Sequence, residues 1–309
     1  MRPPGIIRDV LDHFDQPFAD SSAIPTWLIA RETRKYVKTV VSGDGGDELF
    51  GGYTAYRVAQ QLGQLRRLPL GLRHALVQCT RLVSDHDFAR RLQKALAIAE
   101  LSPAEVLAAL RSYFNEADKW ALYRPEQRAR LGGYRTSERF VVEGEDLARS
   151  LALSDLRHRL AGDMLTKVDM MSMAHGLEVR VPLLDERIVD LALRLPTSLR
   201  LRHGQTKFLL RRVARRHLPA RIAAKRKSGF VIPLRHAASS GMNRLIEETL
   251  GVDQPRIAEV FQPQILKSYL DGYRSAGRSL RHLSSYQLQQ RLYALVALER
   301  WATRMHVVW

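Results

Sequence analysis

One glycine-rich stretch decides the fold, and it runs from Val40 to Tyr53 as Val-Val-Ser-Gly-Asp-Gly-Gly-Asp-Glu-Leu-Phe-Gly-Gly-Tyr. The run Val37 to Val41 enters it, and its apolar, β-branched character predicts a strand of a parallel sheet that is buried on both faces. A loop of small residues follows, and a helix is expected after the loop. A strand, a tight turn and a helix in this order present backbone N–H groups to phosphates in α/β proteins.

The loop also carries three acids, Asp44, Asp47 and Glu48. Carboxylates beside a phosphate site are normally held by a divalent metal, most often Mg²⁺ through one or two oxygens. The stretch therefore predicts a nucleotide phosphate site with Mg²⁺. The alternative is a glycine-rich turn whose acids are only solvated.

The length of the chain, its cysteine count and its apolar stretches limit the class of protein. A chain of 309 residues holds one large domain or two small ones. Its one cysteine, Cys79, excludes an intramolecular disulfide framework and fits a reducing cytoplasm, and we interpret this thiol as structural. No stretch is apolar for long enough to be a signal peptide or a membrane span.

The formal net charge of +17 suggests polyanionic partners such as nucleic acid, nucleotides or pyrophosphate. The cations are scattered along the chain, however, and no aromatic residues alternate with them as in nucleic-acid-binding segments. Solvated helix faces are therefore the favoured interpretation, and nucleic-acid binding is disfavoured.

The pattern after Tyr53 is helical almost throughout. We therefore predict an α/β chain that is predominantly helical, with a partial nucleotide-binding region over residues 1–60 and a mainly helical remainder over 61–309. Val37 to Val41 is the one strand that the pattern identifies. Either other strands are less visible, or the other members of the sheet lie outside this chain.

Several helix boundaries follow from capping residues. Asp20, Ser21 and Ser22 are good N-caps for a helix over residues 24–35. Asp185 and Thr206 are suited to cap two further helices. A helix-spaced apolar stripe over residues 151–174 predicts one long helix.

Two segments carry charges that suit a substrate. Asp163 and Lys167 lie one helical turn apart, so they are predicted to share a face, either beside a charged substrate or as an ordinary surface pair. Glu178 and Arg180 would share one face of an extended segment, either as a partly buried ion pair or in contact with a zwitterionic substrate.

A third segment, Lys225 to Phe230, places three cations before a glycine and an aromatic residue. Such a loop is suited to bring positive charge over a phosphate leaving group, although a solvated loop is the alternative. The histidines show no metal-ligand spacing, and neither a Ser-His-Asp arrangement nor a Walker-type Gly-Lys-Ser/Thr is present.

Taken together and in this order, these segments resemble the synthetase domain of the glutamine-dependent asparagine synthetases. The resembling segments are Asp15-Gln16-Pro17-Phe18-Ala19-Asp20, Ser42 to Tyr53, Leu165-Thr166-Lys167-Val168-Asp169 with Met171-Ser172-Met173, Leu177 to Asp185, Leu218-Pro219, Lys227-Ser228-Gly229-Phe230 and Leu298-Glu299-Arg300-Trp301. The resemblance implies the parallel-sheet, PP-loop fold of adenine-nucleotide hydrolases with an extended helical region.

The resemblance also implies a reaction. In that family ATP adenylates the side-chain carboxylate of aspartate and releases pyrophosphate, and ammonia from a separate glutaminase domain then displaces AMP. It therefore implies a ligase of asparagine biosynthesis with ATP and Mg²⁺ as cofactors, aspartate or a related carboxylate as substrate, and a possible homodimer.

By the same resemblance, a role is implied for each matching site residue. Ser42, Gly43 and Gly45 would contact ATP, and Asp47 would be a Mg²⁺ ligand. Asp44 stands where many relatives carry Glu, which handles the substrate or deprotonates the incoming amine. The remaining two are Lys227, which would stabilise pyrophosphate or the acyl-adenylate, and Asp163, near the position of an acid that helps to activate the nucleophile.

Two departures from the family qualify these expectations. The sequence lacks the Ser-Gly-Gly-x-Asp-Ser pyrophosphate loop and the N-terminal cysteine of the glutaminase domain. We therefore expect this chain to be the C-terminal part of a longer protein, nearly inactive alone. Two alternatives stay open: a non-catalytic partner that completes its sheet with another subunit or binds a polyanion, and the same chemistry on a different acceptor, such as β-lactam formation or amidation of a glycan precursor.

Overall fold

A two-stranded parallel sheet lies among helices in the computed structural model, which describes residues 3–82, 87–223, 225, 239–275 and 283–309. Strand β1 is Thr39–Val41 and strand β2 is Glu178–Arg180. Their register pairs Val40 with Val179. This is an α/β chain, mostly helical, with a small parallel sheet.

The sheet corrects two expectations about the strand. Its partner β2 lies within the chain, in the segment that was predicted only to be extended, and Ser42 N donates to Arg180 O at 2.9 Å to continue the pairing. The strand is also not buried on both faces, because Val41 is 72% exposed. Strand β2 is hard to identify from sequence because its two ends are charged residues, so apolar alternation is missing.

The α-helices of the described residues are bounded as follows. The first six are α1 Pro3–His13, α2 Ala23–Thr33, α3 Gly46–Phe50, α4 Thr54–Arg66, α5 Leu70–Leu82 and α6 Asp87–Glu100. The next six are α7 Pro103–Arg111, α8 Glu116–Leu122, α9 Pro125–Arg130, α10 Leu147–Ser154, α11 Thr166–Met173 and α12 Glu186–Arg194. The last six are α13 Thr197–Arg200, α14 Phe208–His217, α15 Ala220–Ala223, α16 Ser239–Leu250, α17 Pro263–Arg274 and α18 Ser285–Arg304.

Four shorter or irregular helical segments complete the description. Three are 3₁₀ turns, Thr136–Arg139, Pro182–Leu184 and Arg256–Glu259. The fourth is a π-helix, Asp155–Leu165, which joins α10 to α11. The long helix predicted over residues 151–174 is therefore present as a continuous helical segment, but its middle is π-helical.

Three apolar clusters hold these elements. The largest packs α1 and α2 against α16, α17 and α18. A second joins α4, α6, α7 and α10. A small third cluster of Leu49, Phe50 and Ala192 fastens α3 to α12, and this cluster fixes the glycine-rich loop.

The predictions of helix caps have different outcomes. Asp185 caps α12, because its side chain accepts a hydrogen bond from Arg187 N at 3.0 Å. The Thr206 prediction is wrong, because Lys207 is the N-cap of α14 and adopts a left-handed conformation with φ of 53°. Ser22 stands at the N-cap of α2, but its side chain makes no capping bond. The division of the chain at residue 60 stays a prediction.

None of the helices in the described ranges is long and apolar enough to cross a membrane.

Candidate functional site

The glycine-rich loop is pressed against the turn that follows β2. Gly45 has φ of 81°, and a Cβ on it would lie 2.2 Å from Leu184 Cδ2. A Cβ on Gly46 would lie 2.8 Å from Leu183 Cδ1. Glycine avoids both contacts, and at Gly45 it also accommodates the left-handed backbone, so α3 can begin close behind the end of β1.

Ser42 and Asp44 are joined within the loop. Ser42 Oγ donates a hydrogen bond to Asp44 Oδ2 at 2.6 Å. Both residues are partly exposed and face a cavity. Asp44 is therefore folded back on the loop and is not simply solvated.

A cavity of about 730 Å³ opens beside this loop. Four residues predicted for the site line it together: Ser42, Gly43, Asp44 and Asp47. Its opposite walls come from α2, α11 and the π-helix. Gly45, the fifth predicted residue of the loop, is buried behind the wall.

Asp47 makes an ion pair that sequence analysis missed. Lys207 Nζ lies 2.8 Å from Asp47 Oδ1, and the two side chains are 23% and 17% exposed. The left-handed backbone of Lys207 directs this ammonium back to α3. A Cβ on Gly52 would lie 1.7 Å from Asp47 Oδ1 and 2.4 Å from Lys207 Cε, so the pair depends on glycine there.

The site offers a metal ion one carboxylate ligand and not a complete set. In the part of the chain that the structure describes, no group of three or more His, Cys, Asp or Glu is placed to hold a metal ion. Mg²⁺ commonly takes only one or two carboxylates together with phosphate oxygens and water. Asp47, at the cavity wall, therefore fits a single carboxylate ligand shared with a nucleotide, with Lys207 beside it.

Lys167 joins the turn before α2 to α11. Its ammonium is 2.7 Å from Asp20 Oδ2 and 2.7 Å from Ser22 Oγ, and the residue is 7% exposed. Burial by itself would raise the pKa of Asp20, but the Lys167 charge and its hydrogen bonds hold that pKa below its usual value. The close ion-pair partner of Lys167 is thus Asp20 and not Asp163, although the Lys167 charge opposes the rise in the pKa of Asp163.

Asp163 lies on the wall of a second cavity, of about 630 Å³, together with Asp20 and Arg159. Its closest cation is Arg159, with Nε 3.6 Å from Asp163 Oδ2. Burial, and then the negative charge of Asp20, raise the pKa of Asp163 to about 7. Asp163 is therefore an acid poised near neutrality.

Arg159 lines both cavities, and Tyr53 lines the first beside it. The Arg159 guanidinium lies over the Tyr53 ring at 4.7 Å, and Tyr53 Oη donates to Glu48 Oε1 at 2.7 Å. Burial raises the pKa of Glu48, which is 2% exposed. The third acid of the loop thus points into the protein and supports the wall.

Other predicted residues lie apart from this constellation. Glu178 and Arg180 form an exposed ion pair within β2, with Nε 2.8 Å from Oε1, so it is not the partly buried pair that was expected. Lys227 and its neighbours up to Phe230 lie outside the described residues. Cys79 is a free and exposed thiol, not a buried structural one.

Sequence analysis missed Lys207 and Arg159 as members of the site, and it did not foresee that Glu48 and Tyr53 of the loop would support its wall. The segment Asp15 to Ser22 was interpreted only as a helix cap. Its cluster of polar residues at a helix start is a signal that could also have pointed to the site. No local pattern pointed to Lys207, since its partner Asp47 is distant in sequence. Arg159 lies four residues before Asp163, and this spacing, which pairs opposite charges on a helix, could have identified it.

Comparison with known proteins decides the family. The profile of the asparagine synthase family matches residues 3–303. The chain belongs to this family.

Named relatives of the asparagine synthase family agree with the match. The chain is 32% identical over 251 residues to glutamine-hydrolysing asparagine synthetase 1 of Bacillus subtilis (strain 168), covering 78% of this chain and 38% of that protein. It is 32% identical over 248 residues to a putative glutamine-hydrolysing asparagine synthetase of Mycobacterium tuberculosis (strain H37Rv), covering 76% of this chain and 36% of that protein. The matched part is thus little more than a third of the length of these relatives.

Proposed function

We propose that this chain is the synthetase part of a glutamine-dependent asparagine synthetase-type ligase. It would adenylate the side-chain carboxylate of aspartate or a related acceptor with ATP and then form an amide with ammonia. One observation carries the proposal: Ser42, Gly43, Asp44 and Asp47 follow the end of a parallel strand and line one cavity of about 730 Å³. Nucleotides bind at this end of parallel strands in α/β proteins.

The roles follow from the positions of the side chains. The loop from Ser42 to Gly43 would bind the nucleotide, as its small residues allow close approach of the backbone. Asp47 would hold Mg²⁺, which when bound neutralises charge on the phosphates. Lys207, whose ammonium lies 2.8 Å from Asp47 Oδ1, would add a second positive charge beside this ligand.

The reaction that these groups would serve has two steps. The acceptor carboxylate attacks the α-phosphorus of ATP, the bond to the bridging oxygen breaks, and pyrophosphate leaves. Ammonia then attacks the acyl carbon, AMP leaves, and one proton is lost from the nitrogen. Asp44 faces the cavity where the acceptor and amine would meet, and Asp163 and Lys227 would act as acid and phosphate-stabilising cation.

Nucleotide binding is the first test. We expect Asp47→Asn to weaken binding of Mg²⁺ with a non-hydrolysable ATP analogue by about tenfold or more, because a metal carboxylate is lost. Asp190→Asn, an exposed acid of α12, is the matched control and should bind as the parent does. Equal affinity of the parent and Asp47→Asn, measured by isothermal titration calorimetry, would remove the support for this site.

Turnover of this chain alone should be slow. The Ser-Gly-Gly-x-Asp-Ser phosphate motif of the family does not occur in the sequence, so one phosphate cradle would have to come from elsewhere. Pyrophosphate release from ATP with aspartate and ammonium chloride measures this. Rates equal to those of a complete asparagine synthetase would contradict the proposal of slow turnover.

A different acceptor is the second candidate, and Asp44 favours it. Its short carboxylate is tied to Ser42 Oγ at 2.6 Å, so it reaches less far into the cavity than a glutamate would. Binding of aspartate, glutamate and β-amino acids in the presence of Mg²⁺ and a non-hydrolysable ATP analogue should be compared for the parent and Asp44→Glu, because binding does not depend on turnover. A shift of preference between the two proteins supports the second candidate, and an unchanged preference for aspartate opposes it.

A further inference from the structure

Helix α14 and the two short helices beside it, α13 and α15, form a positive surface that the roles above leave unused. Residues 191–225 contain ten lysines and arginines and no aspartate or glutamate, so this segment supplies ten of the seventeen net positive charges of the chain. Both α13 and α15 pack against α14. Arg211 ties the end of α15 to α14, because its guanidinium donates to Ala223 O at 3.2 Å and to Lys225 O at 3.0 Å. The cations of this segment are therefore gathered in one folded unit.

Three arginines stand on the outer side of α14. Arg212, Arg215 and Arg216 are exposed, and the spacings of three and four residues from Arg212 place them side by side on the helix. Within the described ranges, their guanidinium groups have neither an ion-pair partner nor a hydrogen-bond acceptor. Like charges one helical turn apart repel each other, so an anionic partner would stabilise this helix.

The acids of α3, which packs against α14, do not neutralise these arginines. They are Asp47 and Glu48. Asp47 is paired with Lys207 Nζ at 2.8 Å, and Glu48 is buried and accepts a hydrogen bond from Tyr53 Oη. The positive charge on the outer side of α14 is therefore open to an anion from another molecule.

Apolar side chains are exposed among these cations. Val213 lies on α14, Leu218 follows that helix and Ile222 lies on α15, and each is about half exposed. Cationic and aliphatic side chains together suit a partner that offers both carboxylates and apolar groups. We call this surface the basic face, and it comprises Arg212, Val213, Arg215, Arg216, Leu218 and Ile222.

The composition of this segment favours a protein partner over a nucleic acid or a membrane. Arg202, Arg221 and Lys225 are also exposed, so arginine supplies nearly all of the exposed positive charge, as is typical of protein interfaces. Single-stranded nucleic acids and membrane interfaces are commonly bound with exposed aromatic rings. Phe208 is the one Phe, Tyr or Trp between residues 191 and 225, and the Arg202 guanidinium lies over its ring at 5.2 Å. An acidic protein surface is therefore the partner that fits best.

We propose that the basic face binds a partner protein through an acidic segment that carries apolar residues among its carboxylates. The carboxylates would pair with the three arginines of α14, and the aliphatic groups would cover Val213, Leu218 and Ile222. A second copy of this chain is not a suitable occupant, since two basic faces in contact would bring like charges together. The interface is independent of the proposed ligase reaction, because none of its six residues lines the cavity beside the glycine-rich loop.

A synthetic peptide tests the chemistry of the basic face. The probe is a fluorescein-labelled helical peptide with glutamate along one side and leucine beside it, and its comparison peptide has the same glutamates with serine in place of each leucine. Binding to the 309-residue chain is measured by fluorescence anisotropy at about 0.15 M salt, where distant charges are screened. We expect the leucine peptide to bind about tenfold or more tightly than the serine peptide, because it also buries apolar surface.

Two double variants locate the binding. Arg212→Ser with Arg216→Ser removes two charges from the basic face and should weaken binding of the leucine peptide by about tenfold or more. Arg57→Ser with Arg130→Ser removes two charges from exposed positions of α4 and α9 and is the matched control. We expect the control to bind within about twofold of the parent, because the net charge is the same in both variants.

Val213→Ser tests the apolar part of the basic face without changing the charge. It should reduce the preference for the leucine peptide over the serine peptide by about threefold, because one aliphatic contact is lost. All of the substituted side chains are exposed, so the midpoints of urea unfolding should stay close to that of the parent. Unchanged midpoints assign the losses in affinity to the surface and not to the fold.

Competitors of other classes complete the test. Duplex DNA, single-stranded DNA and vesicles of phosphatidylglycerol with phosphatidylcholine should each bind less tightly than the leucine peptide at the same salt concentration. Tighter binding of DNA or of vesicles overturns the proposal in favour of a nucleic acid or a membrane. Equal binding of the two peptides, or equal losses in the two double variants, also overturns it, because the chain would then attract anions through its net charge alone.

Discussion

At the scale of single residues, the site depends on a few contacts between the glycine-rich loop and distant side chains. Asp47 and Lys207 are 2.8 Å apart and mostly shielded from water. A partly buried ion pair is costly to break, because the remaining charge keeps its desolvation penalty without its partner. The pair therefore matters for stability as well as for the phosphate site.

We expect Asp47→Asn and Lys207→Met each to lower the free energy of unfolding by about 1–3 kcal/mol. The double variant should lose less than the sum of the two, because neither charge is then left alone. Urea unfolding of the four proteins measures the coupling. If the loss in the double variant equals the sum of the two single losses, the interaction between Asp47 and Lys207 contributes nothing to stability.

Gly52 is predicted to be intolerant of any side chain. The Cβ of Gly52→Ala would collide with Asp47 Oδ1 and Lys207 Cε, at 1.7 Å and 2.4 Å, so the ion pair must separate. We expect a loss of about 2 kcal/mol or more in the free energy of unfolding. Gly43→Ala is the control, because a Cβ there meets nothing within 4 Å. Similar losses in both variants, by urea unfolding, would contradict this view of Gly52.

At the scale of elements, the π-helix Asp155–Leu165 places Arg159 and Asp163 at the cavities. Its first residue, Asp155, is 2% exposed and accepts hydrogen bonds from Tyr56 Oη at 2.6 Å and Arg111 Nε at 2.9 Å. These contacts tie the segment to α4 and α7. π-helical segments are rare and occur often at functional sites.

Asp155→Ala should therefore be strongly destabilising. We expect a loss of about 3 kcal/mol in the free energy of unfolding, because the Arg111 charge and the Tyr56 hydroxyl lose their buried partner. Asp190→Ala, which removes an exposed pair with Arg194, should cost less than about 0.5 kcal/mol. Comparable losses for the two variants, measured by chemical denaturation, would show that Asp155 is not an anchor.

The elements also show how far the sequence could predict the structure. A local signal succeeded where the cap needs no distant partner: Asp185 caps α12 as predicted. Signals that depend on distant partners failed. Lys207 replaces Thr206 as a cap because its ion pair with Asp47 holds it, and β2 is a strand because β1 lies beside it.

At the scale of the whole molecule, the candidate site is assembled from segments far apart in the chain. The loop after β1 was predictable because its glycines and acids are contiguous, and the family resemblance was confirmed. The wall built from Arg159, Asp163 and Asp20 was not, since spacing on an ideal α-helix paired Asp163 with Lys167. Tertiary contacts decided that Lys167 would bond to Asp20 instead.

The partly buried acid Asp163 should make the stability of the whole molecule depend on pH. Its pKa in the folded protein is about 7, above the ordinary value of 3.8. Between these two values the folded state binds a proton that the unfolded state has lost, so the contribution of Asp163 is most favourable at low pH and is lost as the pH rises through 7. Glu48, whose pKa burial also raises, acts in the same direction.

Asp163→Asn isolates this effect, because the amide does not titrate. We expect the variant to be more stable than the parent by about 1–2 kcal/mol at pH 8, where the parent must bury a charged Asp163 beside Asp20, and to differ little at pH 5. Urea unfolding of both proteins at pH 5, 6, 7 and 8 gives the difference directly. Asp169→Asn, which removes an exposed acid of α11, is the matched control. If the difference in the free energy of unfolding between the parent and Asp163→Asn is the same from pH 5 to pH 8, Asp163 does not change its ionisation in this range. Its pKa would then not lie near 7.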